Sequence, residues 1–133
     1  MDKSKILRLI DANINRAREG LRVVEDIMRF CYDDKRISSK LKSLRHLLSK
    51  SFDSEFLLEY RDSGDDVGRV PSYDRASKKA TLKGVILANI LRAQESSRVL
   101  EELAKMAGKD SSKFKSIRFK LYDLQKTVFK KIK

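Results

Sequence analysis

The chain contains one helical segment twice, and this duplication constrains its fold more than any other feature of the sequence. Residues 12–29 and 88–105 are identical at nine of eighteen positions, with an offset of 76 residues. Their shared pattern is A-N-I-x-R-A-x-E-x-x-R-V-x-E. A helix needs only its apolar stripe to fold, so the repetition of Asn, Arg and Glu indicates a duplicated polar constellation. The sequence therefore predicts two matching half-sites, or one site lined from two sides.

A second match extends the duplication. Residues 38–45 are echoed by residues 111–118 with an offset of 73, so each half reads as a long helix followed by a second helix with a serine cap. We predict an all-α bundle of about four long helices, built from a duplicated two-helix hairpin as one domain over residues 1–133. Repeat one covers about 3–50, a loop 59–75, and repeat two about 76–132.

The helix limits follow from apolar spacing and from capping residues. The first helix is predicted over about 3–32 and the third over about 76–107, where Gly108 provides a stop. The second begins near Ser38 or Ser39 and turns Leu41, Leu44, Leu47 and Leu48 inward, and Asp110 or Ser111 caps the fourth. The segment 51–60 is undecided between helix and loop.

Composition excludes several classes of protein. The single cysteine, Cys31, rules out a disulfide framework within the chain and is expected as a small core residue. Since no signal-peptide segment and no long apolar run is found, we predict a cytoplasmic protein without membrane spans. The net charge is +12, much of it in the last helix. That charge fits a solvated face, a nucleic-acid surface or a small polyphosphate ligand, and does not choose among them.

Candidate binding residues lie at the border of the apolar stripes. On a helical projection Asn13 and Arg16 flank the stripe of the first helix, and Asn89 and Arg92 flank that of the third. Two guanidinium groups entering one cleft suit a phosphate, because each planar fork donates paired hydrogen bonds. The alternative is an ordinary polar network between helices. For Arg22 and Arg98 we expect structural pairs with acidic residues one turn away.

The segment 61–69 combines carboxylates, glycines and arginines. Asp62 and Asp66 beside Arg61 and Gly68 are typical of a loop that holds Mg²⁺ together with a phosphate chain. Gly-Asp loops are common, so the pattern is weak by itself. The chain contains no Walker A motif and no protein-kinase signature.

Four blocks in matching order resemble a known family: residues 10–26, 44–46, 61–68 and 89–102. They are similar to the helical hydroxymethylpyrimidine-phosphate kinase family of thiamin biosynthesis, a domain often fused ahead of thiamin-phosphate synthase. The resemblance implies transfer of the γ-phosphoryl group of ATP, with Mg²⁺, onto 4-amino-5-hydroxymethyl-2-methylpyrimidine phosphate. No synthase barrel is expected in this chain, which ends in a Lys-rich helix. The second repeat departs from the family in carrying Ser96 and Ser97, and the loop departs in carrying Arg69.

The resemblance gives each candidate residue an expected role. Arg16, Arg92, Arg61 and Asp62 are the predicted catalytic residues, and Asp62 and Asp66 the predicted metal ligands. The predicted substrate-binding residues are Asn13, Asn89, Glu19, Glu95, Arg45 and Gly68. Asn13 and Asn89 are assigned to the aminopyrimidine edge.

Two other functions stay open at this stage. The chain is also compatible with a non-catalytic module that docks on thiamin-phosphate synthase and channels or regulates its substrate. A basic nucleic-acid-binding protein is the third candidate, although the chain lacks any recognisable recognition-helix module. A homodimer that completes the cleft is compatible with the sequence.

Overall fold

A computed structural model describes residues 2–69 and 79–133, and in these residues the chain is all-α with no strand. The helices are α1 (Lys3–Phe30), α2 (Lys35–Ser51), α3 (Ser54–Leu58), α4 (Leu82–Met106) and α5 (Ser112–Lys131). The predicted bundle of four long helices is confirmed, and the undecided segment contributes the short α3. None of the helices in the described ranges combines the length and apolar composition that a bilayer crossing requires.

Helices α1 and α4 form the centre of the bundle. The predicted apolar stripe of α1 is buried, with Ala17, Val24 and Met28 at 0% exposure. Helix α2 packs on α1, α5 packs on α4, and α2 touches α5. Each hairpin therefore buries its own apolar face and shares the remaining core with its counterpart, as repeats that cannot fold alone do.

The two central helices run antiparallel and approach most closely at Gly20. A Cβ atom at this position would lie 2.7 Å from the backbone carbonyl oxygen of Asn89, so only glycine fits the crossing. The equivalent pair from the other repeat, Asn13 and Ser96, lines one cleft. An approximate twofold axis therefore relates the two ends of the crossing. The helices are in close contact at Gly20 and leave an open cleft at Ser96.

A buried ion pair joins the two helices of each hairpin. Arg45 donates to Glu25 at 3.0 and 3.4 Å in repeat one, and Arg118 donates to Glu101 at 2.9 and 3.3 Å in repeat two. The glutamates are 3% and 2% exposed. Hydrogen bonds from Arg118 lower the pKa of Glu101 and that pairing raises the pKa of Arg118. The duplicated polar pattern thus includes a structural part, which fixes each hairpin's angle.

Several predicted helix ends are wrong by a few residues, and the capping side chains explain why. Helix α2 begins at Lys35 because Asp34, and not Ser38 or Ser39, accepts the hydrogen bond from the Ile37 backbone N–H. Helix α1 ends at Phe30 rather than near Tyr32, since Asp33 has a positive φ of 51°. Gly108 has φ 68° after α4, as a helix stop requires.

The third long helix also begins later than predicted. Thr81 caps α4 with its side chain, so residues 79–81 precede the helix. The rest of the predicted extension, residues 76–78, lies outside the described residues, as does the 70–75 part of the predicted loop. At α5, Ser111 is the capping position but makes no side-chain bond, while Asp110 accepts from the Ser112 backbone N–H at 2.9 Å.

Two side chains, Leu47 and Cys31, are more exposed than predicted, and a third, Ser97, occupies a core position. Leu47 is 40% exposed rather than inward, because the α2 stripe is satisfied by Leu44 and Leu48. Cys31 is exposed rather than in the core. Ser97 is fully buried where repeat one has Leu21, and its hydroxyl donates to the Ala93 carbonyl at 2.7 Å. The smaller residue is thus accommodated with its polar group satisfied.

Candidate functional site

A polar cleft of about 430 Å³ lies between α1 and the loop that follows α3. We call it the α1–loop cleft. Its charged and amide-bearing lining comes from one face of α1 and from the loop: Arg8, Asp11, Asn15, Arg16, Glu19, Arg61, Asp62 and Asp66. Five of the predicted site residues, Arg16, Glu19, Arg61, Asp62 and Asp66, therefore meet in one place.

Arg61 is fixed in this cleft by Asp11. The guanidinium donates through Nε and Nη2 to the two carboxylate oxygens at 2.8 and 2.9 Å. Asp11 is 5% exposed, whereas the Arg61 side chain is 43% exposed. The hydrogen bond to Asp11, followed by the charges of Asp11 and Glu19, raises the pKa of Arg61. A guanidinium held in this way keeps its position before any ligand arrives.

The loop is held by its own side chains and by α1. Asp62 accepts from the Asp65 backbone N–H at 3.2 Å, and Asp66 accepts from the Gly68 backbone N–H at 2.8 Å. Arg8 donates to the Asp62 carbonyl at 2.8 Å. The predicted site residue Gly68 contributes in this way to the shape of the loop, through an amide bonded to a residue that lines the cleft.

A second cleft, of about 320 Å³, opens between α1 and α4 at the loose end of their crossing. Asn13, Arg16, Arg92, Glu95 and Ser96 line it, and we call it the inter-helix cleft. Arg16 lines both clefts. In the described ranges, neither Arg16 nor Arg92 forms an ion pair, so both guanidinium charges are available to an anion.

The two repeated asparagines make matching bonds within their own helices. Asn13 donates to the Leu9 carbonyl at 3.0 Å, and Asn89 donates to the Val85 carbonyl at 2.8 Å. Asn89 also accepts from Arg92 at 3.4 Å. Each amide NH₂ group is thus oriented by backbone. Only Asn13 lines the inter-helix cleft, so its carbonyl end can face a ligand, whereas the predicted site residue Asn89 lies outside the lining of both clefts.

The remaining arginines of the repeated pattern lie in structural pairs. Arg45 is bound to Glu25 and is only 15% exposed. Arg22 pairs with Asp26 at 3.3 Å, and Arg98 pairs with Glu102 at 3.1 Å. The interpretation of Arg22 and Arg98 as helix-stabilising pairs is in accord with this geometry.

Sequence reasoning gave no role to Arg8, Asp11 or Asn15, which shape the α1–loop cleft. Asn15 donates to Asp11 at 3.2 Å, so these two residues form a connected set with Arg61, while Arg8 reaches the loop through the Asp62 carbonyl. The signal that marks them is a difference between repeats. Their equivalents in repeat two are Gly84, Leu87 and Leu91, so the polar cleft belongs to one half of the molecule alone.

The donors in the α1–loop cleft suit Mg²⁺ only when a ligand supplies the remaining oxygens. Within the described ranges no group of three or more His, Cys, Asp or Glu side chains is placed to hold a metal ion. Asp62 and Asp66 line the cleft as a pair. Mg²⁺ is commonly bound by one or two carboxylates together with phosphate oxygens and water. The residues present therefore fit a metal that arrives with a phosphate.

Comparisons with known proteins give consistent results along the chain. The sequence matches the model of the ThiD2 family over residues 8–127. It is 36% identical over 93% of its length to a thiamine-phosphate synthase of Thermosynechococcus vestitus, and 35% identical over 96% of its length to one of Gloeobacter violaceus. It covers 35% and 38% of those two proteins, so the chain spans about a third of the curated relatives it matches. No solved structure matches.

These similarities correct the predicted enzyme activity and support the predicted pathway. The assignment of the chain as a phosphotransferase is contradicted, because the curated relatives are named thiamine-phosphate synthase, a different enzyme. The link with thiamin biosynthesis is supported by the same relatives. Since the family model covers nearly the whole sequence, the chain belongs to the ThiD2 family.

Proposed function

We propose that this chain is a non-catalytic helical module of thiamin biosynthesis that binds a pyrimidine phosphate and serves thiamine-phosphate synthase. The similarity to proteins with that name supports the pathway. The pyrimidine phosphate is proposed from the chemistry of the two clefts. Docking on the synthase is proposed because relatives carry a similar segment within a chain about three times as long.

One observation carries the proposal: Arg16 lies at the junction of the α1–loop cleft and the inter-helix cleft. In the described residues its charge is not paired with a carboxylate, whereas Arg61 beside it is anchored by Asp11. A phosphate at this junction would receive bonds from one preorganised and one adjustable guanidinium. Paired N–H donors of this kind match phosphate oxygens in geometry and charge.

The inter-helix cleft would hold the pyrimidine ring. Asn13 is 2% exposed and is fixed by its bond to the Leu9 carbonyl, so its amide oxygen can accept from an exocyclic amino group. Arg92 and Glu95 border the ring from α4. In the other cleft, Asp62 and Asp66 would receive a magnesium ion carried by the phosphate.

The proposal is tested by titrating 4-amino-5-hydroxymethyl-2-methylpyrimidine phosphate into the purified chain by calorimetry, with and without Mg²⁺. We expect saturable binding that Arg16→Ala weakens by roughly tenfold or more, the loss of a charge-assisted hydrogen bond. Arg36→Ala is the matched control, because Arg36 is an exposed arginine on α2 outside both clefts. Equal affinity of wild type and Arg16→Ala would contradict the site.

The non-catalytic assignment is tested separately by incubating the same ligand with MgATP and measuring ADP. We expect no ligand-dependent ADP from the folded chain. Release of ADP together with formation of the pyrimidine diphosphate would overturn this part of the proposal while leaving the binding site in place.

A further inference from the structure

We propose that Arg18, Arg22 and Arg45 form a second oxyanion-binding subsite on the outer side of α1, next to the α1–loop cleft. We call it the arginine pocket. It measures about 310 Å³ and is also lined by Asn15 and Glu19. Its ligand would be the second phosphoryl group of a diphosphate or a free phosphate. The diphosphate form rests on the proposed function, since its first phosphoryl group would lie near Arg16.

The unsatisfied Nε atom of Arg18 is the first observation behind the subsite. Its Nε atom is buried and has no hydrogen-bond partner in residues 2–69 and 79–133. In the same ranges Arg18 forms no ion pair with a carboxylate. A buried donor without an acceptor is unfavourable, and a charged donor more so. An oxyanion in the pocket would supply an acceptor once the Arg18 side chain turns its guanidinium toward it.

The two neighbouring arginines differ from Arg18 because they are already oriented. Arg45 is held by Glu25 at 3.0 Å and Arg22 by Asp26 at 3.3 Å. Those bonds orient two guanidinium groups at the wall of the pocket. Arg18 adds a third that has no carboxylate partner in the described ranges, and Glu19 adds one negative charge to the lining. Fixed donors around one unpaired cation are the arrangement that favours an anion over a cation.

The two depressions on α1 are continuous. Asn15 and Glu19 line both the arginine pocket and the α1–loop cleft. Residues spaced by three or four positions along a helix share one face, so the polar face runs from Arg8 through Asn15 to Arg22. A ligand with two linked phosphoryl groups could therefore place one group in the α1–loop cleft and the other in the arginine pocket.

Repeat two supplies an internal comparison for this subsite. The equivalent of Arg18 is Gln94, which donates to Gln125 at 2.8 Å, and the equivalent of Asn15 is Leu91. The structural pairs are retained, with Arg98 in place of Arg22 and Arg118 in place of Arg45. The fold therefore accepts a neutral residue at the equivalent of Arg18 in repeat two, so the charge of Arg18 is a property of repeat one.

The test uses Arg18→Gln, which installs the residue that repeat two already carries. Pyrophosphate and orthophosphate are each titrated by calorimetry into wild type and variant at low ionic strength. We expect pyrophosphate affinity to fall by roughly tenfold or more in the variant. A larger loss for pyrophosphate than for orthophosphate supports the diphosphate form, and equal losses support a free phosphate at the same subsite.

Arg98→Ala is the matched control, because it removes a charge and the same two intrahelical pairs that Arg22 makes. It should bind pyrophosphate as wild type does. The subsite is overturned if Arg18→Gln retains wild-type affinity for both anions, or if Arg98→Ala weakens binding to the same extent. Should Arg18→Gln fail to fold by circular dichroism, Arg18→Lys keeps the charge without the fork, and wild-type affinity there overturns the paired-donor geometry.

Failure of this subsite and failure of the proposed function give different results. If pyrimidine phosphate does not bind but Arg18→Gln still weakens pyrophosphate binding, the subsite stands alone. If pyrimidine phosphate binding is lost in Arg16→Ala and anion binding is unchanged in Arg18→Gln, the proposed function stands and the subsite is overturned.

Discussion

Single residues on α1 divide into those that support the hairpin, such as Glu25, and those that shape a cleft, such as Asp11. Its carboxylate is nearly buried, accepts two bonds from Arg61 and one from Asn15, and so ties the loop to the helix. Removing one partner of such a pair leaves the other group unsatisfied, which costs more than the pair contributes. The position of the loop should therefore depend on this one side chain.

We expect Asp11→Asn to release Arg61 and loosen residues 61–69. The free energy of unfolding should fall by only about 1 kcal/mol, because Arg61 is partly exposed and its pairing is screened by solvent. Backbone amides of the loop should exchange faster, as measured by hydrogen exchange with mass spectrometry. Asp65→Asn, which changes an exposed carboxylate of the same loop, is the control. Unaltered loop exchange in Asp11→Asn would show that Arg61 is held by other contacts.

Among the helices, the crossing of α1 and α4 positions the inter-helix cleft. The helices and the apolar stripe could be predicted from the sequence because apolar spacing is a local property. The start of α2 was misplaced because Asp34 competes with Ser38 and Ser39 for the capping position, and all three are good caps. The Arg61–Asp11 pair could not be predicted, since it joins residues 50 positions apart that no periodicity relates.

Gly20→Ala should destabilise the crossing. The added Cβ would lie 2.7 Å from the Asn89 carbonyl oxygen, a backbone atom that moves only if the helices separate. Overpacking of this kind costs about 1–3 kcal/mol, which exceeds the helix-propensity gain of about 0.5–1 kcal/mol. Urea unfolding measures the difference. Ser96→Ala, at the equivalent position in repeat two, adds no atom to the crossing and should change stability by less than Gly20→Ala does. A Gly20→Ala variant more stable than wild type would mean that the helices adjust freely.

For the molecule as a whole, the ion pair between Glu101 and Arg118 makes stability depend on pH. The folded state holds the pKa of Glu101 below its ordinary value, chiefly through hydrogen bonds from Arg118. A carboxyl with a lowered folded pKa stabilises the protein above its unfolded pKa and loses that contribution as pH falls through the folded value. Asp34, whose pKa is lowered mainly by the backbone N–H of Ile37, acts in the same direction.

Glu101→Gln should cost about 3 kcal/mol at pH 7, because it leaves Arg118 beside a neutral partner in a buried setting. The difference from wild type should shrink below pH 4.5 as Glu101 of the wild type becomes protonated. Urea unfolding between pH 7 and pH 3 gives the comparison, with the half-exposed Glu102→Gln as control. A difference that stays constant over this pH range would show that the charge of Glu101 is not what stabilises the hairpin.

Glycine at position 20 and serine at its equivalent, position 96, have a consequence for how such a molecule can arise. In a symmetric homodimer of single hairpins every substitution occurs twice, so both ends of the crossing would be tight or both open. Joining the two hairpins in one chain removes that restriction. One copy is then free to carry a polar cleft while the other has glycine or leucine at the equivalent positions. A binding surface can diverge in this way without the paired scaffold losing its symmetry.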